Sequence, residues 1–158
     1  MQKITPFLWF DTQAEEAVKY YTSIFKDSRI KAILRHGDAG PGPKGSVLTV
    51  DFELEGQPFT ALNGGPQFKF NESVSFLVHC KTQTEVDYYW DKLCADGGQP
   101  VACGWLKDKY GLSWQITPDM LLELIQSKDA TKADRVMRAM MKMVKIDIAA
   151  LQRAADGG

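Results

Sequence analysis

The chain has 158 residues, 44% of them apolar, with 19 Lys plus Arg against 20 Asp plus Glu and a formal net charge of −1. That size and balance fit one globular domain, and the lack of a basic tract argues against nucleic acid or an anionic membrane as partner. No apolar run reaches the roughly 18 residues a membrane span needs, no signal-peptide pattern opens the chain, and Cys80, Cys94 and Cys103 show no C-x-x-C spacing, so a cytoplasmic protein with reduced thiols is expected.

From the N-terminus, Ile4–Phe10 is a short aromatic-rich strand, and Thr12-Gln13-Ala14-Glu15 reads as a capping box in which Thr12 and Glu15 satisfy each other's amides. Ala14, Ala17, Val18, Tyr21, Ile24 and Phe25 then recur at helical spacing and predict one buried stripe. Strand-like runs follow at Arg29–Arg35, Val47–Leu54 and Pro58–Asn63. His36 to Ser46, rich in Gly and Pro, reads as a surface loop with His36 solvated, and Glu55-Gly56 as a tight hairpin turn.

The pattern then restarts. Phe7-Leu8 recurs as Phe76-Leu77, Thr12-Gln13-Ala14-Glu15 as Thr82-Gln83-Thr84-Glu85, and Val18-Lys19-Tyr20-Tyr21 as Val86-Asp87-Tyr88-Tyr89, at offsets of 69, 70 and 68. Val86, Tyr89, Trp90 and Leu93 form the second helical stripe, with Gly97-Gly98 closing it. A short run at Gln99 to Ala102 leads into residues 103–118, which predict a hairpin turning at Asp108–Gly111. Gly104 there permits close approach of a backbone or a ligand. After the turn Leu112, Trp114 and Ile116 alternate with Ser113, Gln115 and Thr117, so one face is apolar and the other small and polar, as in a pocket. Thr117-Pro118 is expected to start a short helix through Gln126, and Thr131 to cap a longer one bearing a stripe of Met137, Met140, Met141 and Val144.

Two copies of a strand-helix-three-strand module resemble the vicinal oxygen chelate superfamily of glyoxalase, bleomycin-resistance and dioxygenase proteins. The segments Thr5-Pro6-Phe7-Leu8-Trp9-Phe10, Ala14-Glu15-Glu16-Ala17, Asn63-Gly64-Gly65-Pro66 and Cys103-Gly104-Trp105-Leu106-Lys107-Asp108 through Trp114-Gln115 are similar to its PhnB-like branch, which carries a demethylubiquinone methyltransferase label. No glycine-rich strand-to-helix turn of the Rossmann kind supports that label. The resemblance implies an α+β fold of two tandem βαβββ modules forming a cupped mixed sheet with helices outside. Module one covers about 1–66, module two about 70–118, and a helical tail 119–158, all within a single domain.

Matching the repeat at Phe7 and Phe76 puts Thr5, Phe7 and Trp9 in one half of the cup and Val74, Phe76 and Val78 in the other. Asn63, Ser113 and Gln115 join them, with Cys103 and Trp105 at the rim. The candidate ligand-binding residues are thus Phe7, Trp9, Asn63, Phe76, Cys103, Trp105, Ser113 and Gln115, although aromatics in such positions more often pack a core. Cys103 has no His nearby in sequence and reads as an inert buried thiol, and His79, matching Phe10, is placed under the helices. The resemblance sets Thr5, Asn63, Val74 and Gln115 where metal-using relatives carry His, Glu or Gln. That is a set without charge, so no metal and no cofactor is expected, while slippage of the alignment would bring in Glu72 in place of Val74. The expected function is binding of a small molecule in a metal-free apolar cup, within a homodimer. The alternatives are a metal-dependent lyase, isomerase or dioxygenase, and a non-catalytic sequestering protein.

Overall fold

The computed structural model describes residues 2–158, which fall into two compact units divided between Lys69 and Phe70. In the first unit β1 (Phe7–Phe10) leads through α1 (Ala14–Ile24) to β2 (Arg29–Arg35), β3 (Val47–Leu54) and β4 (Gln57–Asn63). The strands lie in the order β1-β4-β3-β2, with β1 parallel to β4 and the other pairs antiparallel. Leu8 and Val50 flank Ala61, and Phe52 faces Phe59, so these side chains share one face. All are buried, as are Ala17, Val18 and Tyr21 of the helix packed over β3 and β4. Glu55 and Gly56, at φ of 49° and 78°, both take the left-handed conformation that a two-residue hairpin requires.

The α1 cap departs from expectation. Thr12 does not cap; Gln13 holds the N-cap position without a side-chain bond, and the Ala14 amide donates instead to Oδ1 of Asn63, 49 residues away, at 2.8 Å. The His36 loop also differs, because Nδ1 of His36 is sealed from solvent without a hydrogen-bond partner. A Cβ on Gly40 or Gly42 would stand 2.6 or 2.5 Å from the imidazole, so the loop folds tightly over it.

The second unit repeats the plan with β5 (Ser75–Cys80), α2 (Gln83–Cys94), β6 (Gln99–Pro100), β7 (Trp105–Lys107) and β8 (Ser113–Pro118), in the order β5-β8-β7-β6. Here the Thr82 half of the predicted box forms, accepting from the Glu85 amide at 3.2 Å, while the Glu85 carboxylate accepts from the Lys81 amide at 2.9 Å rather than from that of Thr82. The hairpin between β7 and β8 is as expected, held at its turn by buried Asp108. The Asp108 carboxylate accepts from the amides of Tyr110 and Leu112 at 2.8 and 3.1 Å and from Nε1 of Trp114 at 2.9 Å.

The tail folds onto this same unit as α3 (Asp119–Ile125), α4 (Ala130–Met140) and α5 (Ile148–Ala155). The expected short helix forms one residue later, with Pro118, the last residue of β8, rather than Thr117 at its N-cap, and Asp129, not Thr131, caps α4 by accepting from the Lys132 amide at 3.1 Å. Leu121, Val136, Ile146, Leu151 and Ala155 form the tail's own core, with Met140 packed against it. The expected methionine stripe is broken: Met137 is exposed within α4, and Met141 and Val144, beyond the helix end at Met140, are exposed as well. The close approach at Gly104 comes from the chain itself. A Cβ there would stand 3.0 Å from the Ile116 carbonyl oxygen and 3.1 Å from Ile146, while the Cys103 and Gly104 amides donate to the Met143 and Val144 carbonyls, each at 2.8 Å.

The fold is therefore α+β, two βαβββ modules with a helical tail. Among the described residues, no helix is long and apolar enough to cross a membrane.

Candidate functional site

Each sheet turns one face to its helix and leaves the other open. On the second sheet, Phe76 and Leu106 both pair with Trp114, Val78 with Ile116 and Cys80 with Pro118, which puts them on one face. Leu106, Trp114, Ile116 and Cys80 are buried there, so this is the face under α2. The alternate residues make the open face. One row across it reads Lys107, Ser113, Ser75, and the next reads Trp105, Gln115, Leu77, followed by Thr117 beside His79.

This register corrects two expectations. Phe76 lies under α2 with its ring 5.7 Å from that of Trp114, and His79 lies on the open face, exposed, with Nδ1 2.8 Å from the Asp119 carboxylate. The true strand offset is 70, the same as from Thr12 to Thr82. Matching Phe7 to Phe76 slips it by one, which exchanges the two faces because side chains alternate. Val78 moves under the helix with Phe76, and Val74 precedes the strand as an exposed residue.

Trp105, Ser113 and Gln115 do come together. Gln115 donates through Nε2 to Ser75 Oγ at 2.9 Å, leaving its carbonyl side toward the open face. Ser113 is 1% exposed, and its hydroxyl bonds to nothing although sealed from water, a state that costs about 1–3 kcal/mol. Lys107, its cross-strand neighbour, forms an ion pair with Glu72. The Lys107 ammonium, through its hydrogen bond, holds the Glu72 carboxyl below its ordinary value. Cys103 is half-buried at the bend before β7, outside both rows. Ser75, Lys107 and Glu72 were not singled out as ligand contacts in the sequence; the 70-residue offset, applied to β5, would have found Ser75.

On the first sheet Phe7 and Trp9 do occupy the open face, opposite Thr60 and Leu62. Phe7 is exposed, whereas Trp9 donates to the Gly65 carbonyl at 2.9 Å and meets the Phe68 ring edge-on at 4.9 Å. Asn63 stands on the helix side, occupied with the α1 cap and with donation to the Val47 carbonyl at 3.2 Å, so it is corrected from cup residue to helix anchor. A concavity of about 410 Å³ on this sheet is lined by Thr5, Lys31, Asp51, Phe52, Glu53 and Phe59 among others, so charged and apolar side chains share it. Thr60 donates to Asp51 at 2.7 Å, and Arg29 and Lys31 flank Glu53 at 3.1 and 3.4 Å. Desolvation pushes the Glu53 carboxyl up, but the hydrogen bonds and charges of Lys31 and Arg29 together hold it below its ordinary value.

The profile of the 3-demethylubiquinone-9 3-methyltransferase family matches residues 2–117, nearly the whole of both modules. The chain belongs to this family. The PhnB protein of Bacillus cereus is 40% identical and superposes with a TM-score of 0.68, over 74% of this chain and 99% of its own. Protein PA1353 of Pseudomonas aeruginosa is 19% identical with a TM-score of 0.61, over 75% and 98% of the two chains. The fosfomycin resistance protein FosX of Listeria monocytogenes, 12% identical with a TM-score of 0.51 over 75% and 93%, shares the fold. No curated protein matches. The PhnB-like chain thus shares its two-module fold with FosX.

The metal of metal-using superfamily members does not fit the corresponding positions here. At the 70-residue offset Thr5 is matched by Ser75 and not by Val74, the Asn63 oxygen is committed to α1 on the helix side, and Thr5, Ser75 and Gln115 are all neutral. Among the described residues no group of three or more His, Cys, Asp or Glu could hold a metal ion.

Proposed function

We propose that this PhnB-like chain binds a small molecule on the open face of its second sheet, using Trp105 as an apolar platform and Ser113 and Gln115 as directional polar contacts. The observation that carries this reading is the juxtaposition of those three side chains on a face turned away from the helix, where one hydroxyl is buried without a partner. Trp105 and Leu77 give this otherwise polar face apolar contact surface beside its directional groups, the two ingredients of a small-molecule site. Phe7 and Trp9 supply a second aromatic patch on the open face of the first sheet. The metal positions support binding without a metal ion. Methyl transfer gains no support from the turns into α1 and α2, Asp11-Thr12-Gln13 and Lys81-Thr82, since neither offers the glycine-rich cradle of a nucleotide-like methyl donor.

Incubating the purified protein with a metabolite extract and identifying what is retained by mass spectrometry tests the reading. Retention of a compound by the wild type, weakened in Trp105→Ala at unchanged thermal midpoint, is the expected outcome. A variant that loses much of its stability instead would make Trp105 a packing residue and sink the proposal. We further propose a homodimer, because β1 and β2 are unpaired sheet edges and Ile4, Phe7, Ile33 and Leu34 are exposed. Sedimentation at micromolar concentration should show twice the 17.7 kDa chain mass.

A further inference from the structure

The ion pair between Lys107 and Glu72 has an unusual position. Lys107 belongs to β7 and Glu72 precedes β5, on opposite sides of β8, so their contact reaches across that strand's side of the sheet, and Lys107 is the cross-strand neighbour of Ser113. The hydroxyl of Ser113, which pairs with Lys107 across the strands, is shut off from water and bonded to nothing. The two charged side chains are 33% and 55% exposed, so the pair is within reach of solvent and can open. The next row of the same face, Trp105, Gln115 and Leu77, offers apolar surface and an amide.

We propose that Glu72 is a built-in stand-in for the anionic group of the ligand: a carboxylate or phosphonate displaces it from Lys107, accepts the Ser113 hydroxyl proton in a hydrogen bond, and lays its apolar body on Trp105 and Leu77. This rests on the binding reading above and adds the chemical class, an apolar or aromatic acid. A carboxylate on a surface turn is the natural competitor for such an anion, because it offers Lys107 the same charge without reaching the hydroxyl. Displacement exchanges one ion pair for another and adds a hydrogen bond to a group that had none.

Benzoate, phenylphosphonate and their neutral counterpart benzamide are suitable probes, titrated into the full chain by calorimetry and by amide chemical shifts at residues 72–77 and 105–115. The acids should bind at least about tenfold more tightly than benzamide. Glu72→Gln should tighten the acids severalfold by removing the competitor, Ser113→Ala should weaken them by about tenfold, and Lys107→Met should abolish the preference, all with benzamide unaffected. Should Ser113→Ala fold poorly, Glu72→Gln, an exposed substitution, still decides. Equal binding of acids and amide, or acid binding left unchanged or weakened by Glu72→Gln, would overturn the anion assignment while leaving a binding face. Failure of every probe, charged and neutral, would overturn both.

Discussion

Asn63 shows how one side chain can join distant elements. Its oxygen caps α1 and its amide nitrogen ties to the loop end of β3, so Asn63→Ala removes both bonds at once and should destabilise the protein by about 1–2 kcal/mol in urea denaturation. Thr12→Ala, by contrast, should be close to neutral, since no bond from the Thr12 side chain reaches the helix. Cys80 supplies a pH-dependent case. Burial, aided by the charges of Glu85 and Asp119, pushes its thiol from 9.0 up to about 12. Below pH 9 the thiol is protonated in folded and unfolded chains alike. Above that the unfolded chain releases the proton first, so stability should fall progressively towards pH 12. Comparing the slope of stability against pH with that of Cys80→Ala isolates this effect from the packing loss, and parallel slopes would refute it.

At the scale of elements, the tail is latched by two residues of α2, Gln83 and Asp87. Gln83 donates to the Ile146 carbonyl at 3.0 Å and accepts from the Ile148 amide at 2.8 Å, while Lys145 pairs with Asp87 one helical turn away at 2.8 Å. Gln83→Ala should therefore raise amide exchange across residues 146–155 while leaving β3 and β4 protected, because opening is local where few bonds hold an element. Uniform protection in the variant would show that the tail's apolar core suffices. Gly64 presents a steric case in the first unit. An added Cβ would lie 2.4 Å from the Trp9 ring, so Gly64→Ala must displace the indole and break its bond to Gly65. The expected loss is about 1–3 kcal/mol, together with a shifted Trp9 fluorescence.

For the whole chain, the family match ends at residue 117, where the tail begins. The tail nevertheless contributes a core of its own and receives the Cys103 and Gly104 amides at the entrance to β7. A chain ending at Pro118 should keep its sheet signal but melt at least about 5 °C lower. An unchanged midpoint would make the tail independent of the module it covers.

Local and periodic information was legible without coordinates: the 3.6-residue stripes of α1 and α2, the Thr82 cap, the Glu55-Gly56 turn, the 103–118 hairpin and the duplicated module all stand in short stretches of sequence. Together with the family motifs they determine the α+β plan. The side of a sheet on which a residue falls is a different kind of fact, because strands alternate with a period of two and a slip of one residue inverts every assignment. Offsets of 69 and 70 are equally plausible on paper, and only the pairing of Cys80 with Pro118 and Val78 with Ile116 separates them, sending Phe76 under the helix and His79 into the open. Asn63 and the pair Lys107 and Glu72 lie beyond sequence reading for a related reason. Their partners are 49 and 35 residues away along the chain, and no local pattern encodes a contact that arises only when strands β5, β7 and β8, or β4 and α1, are brought side by side.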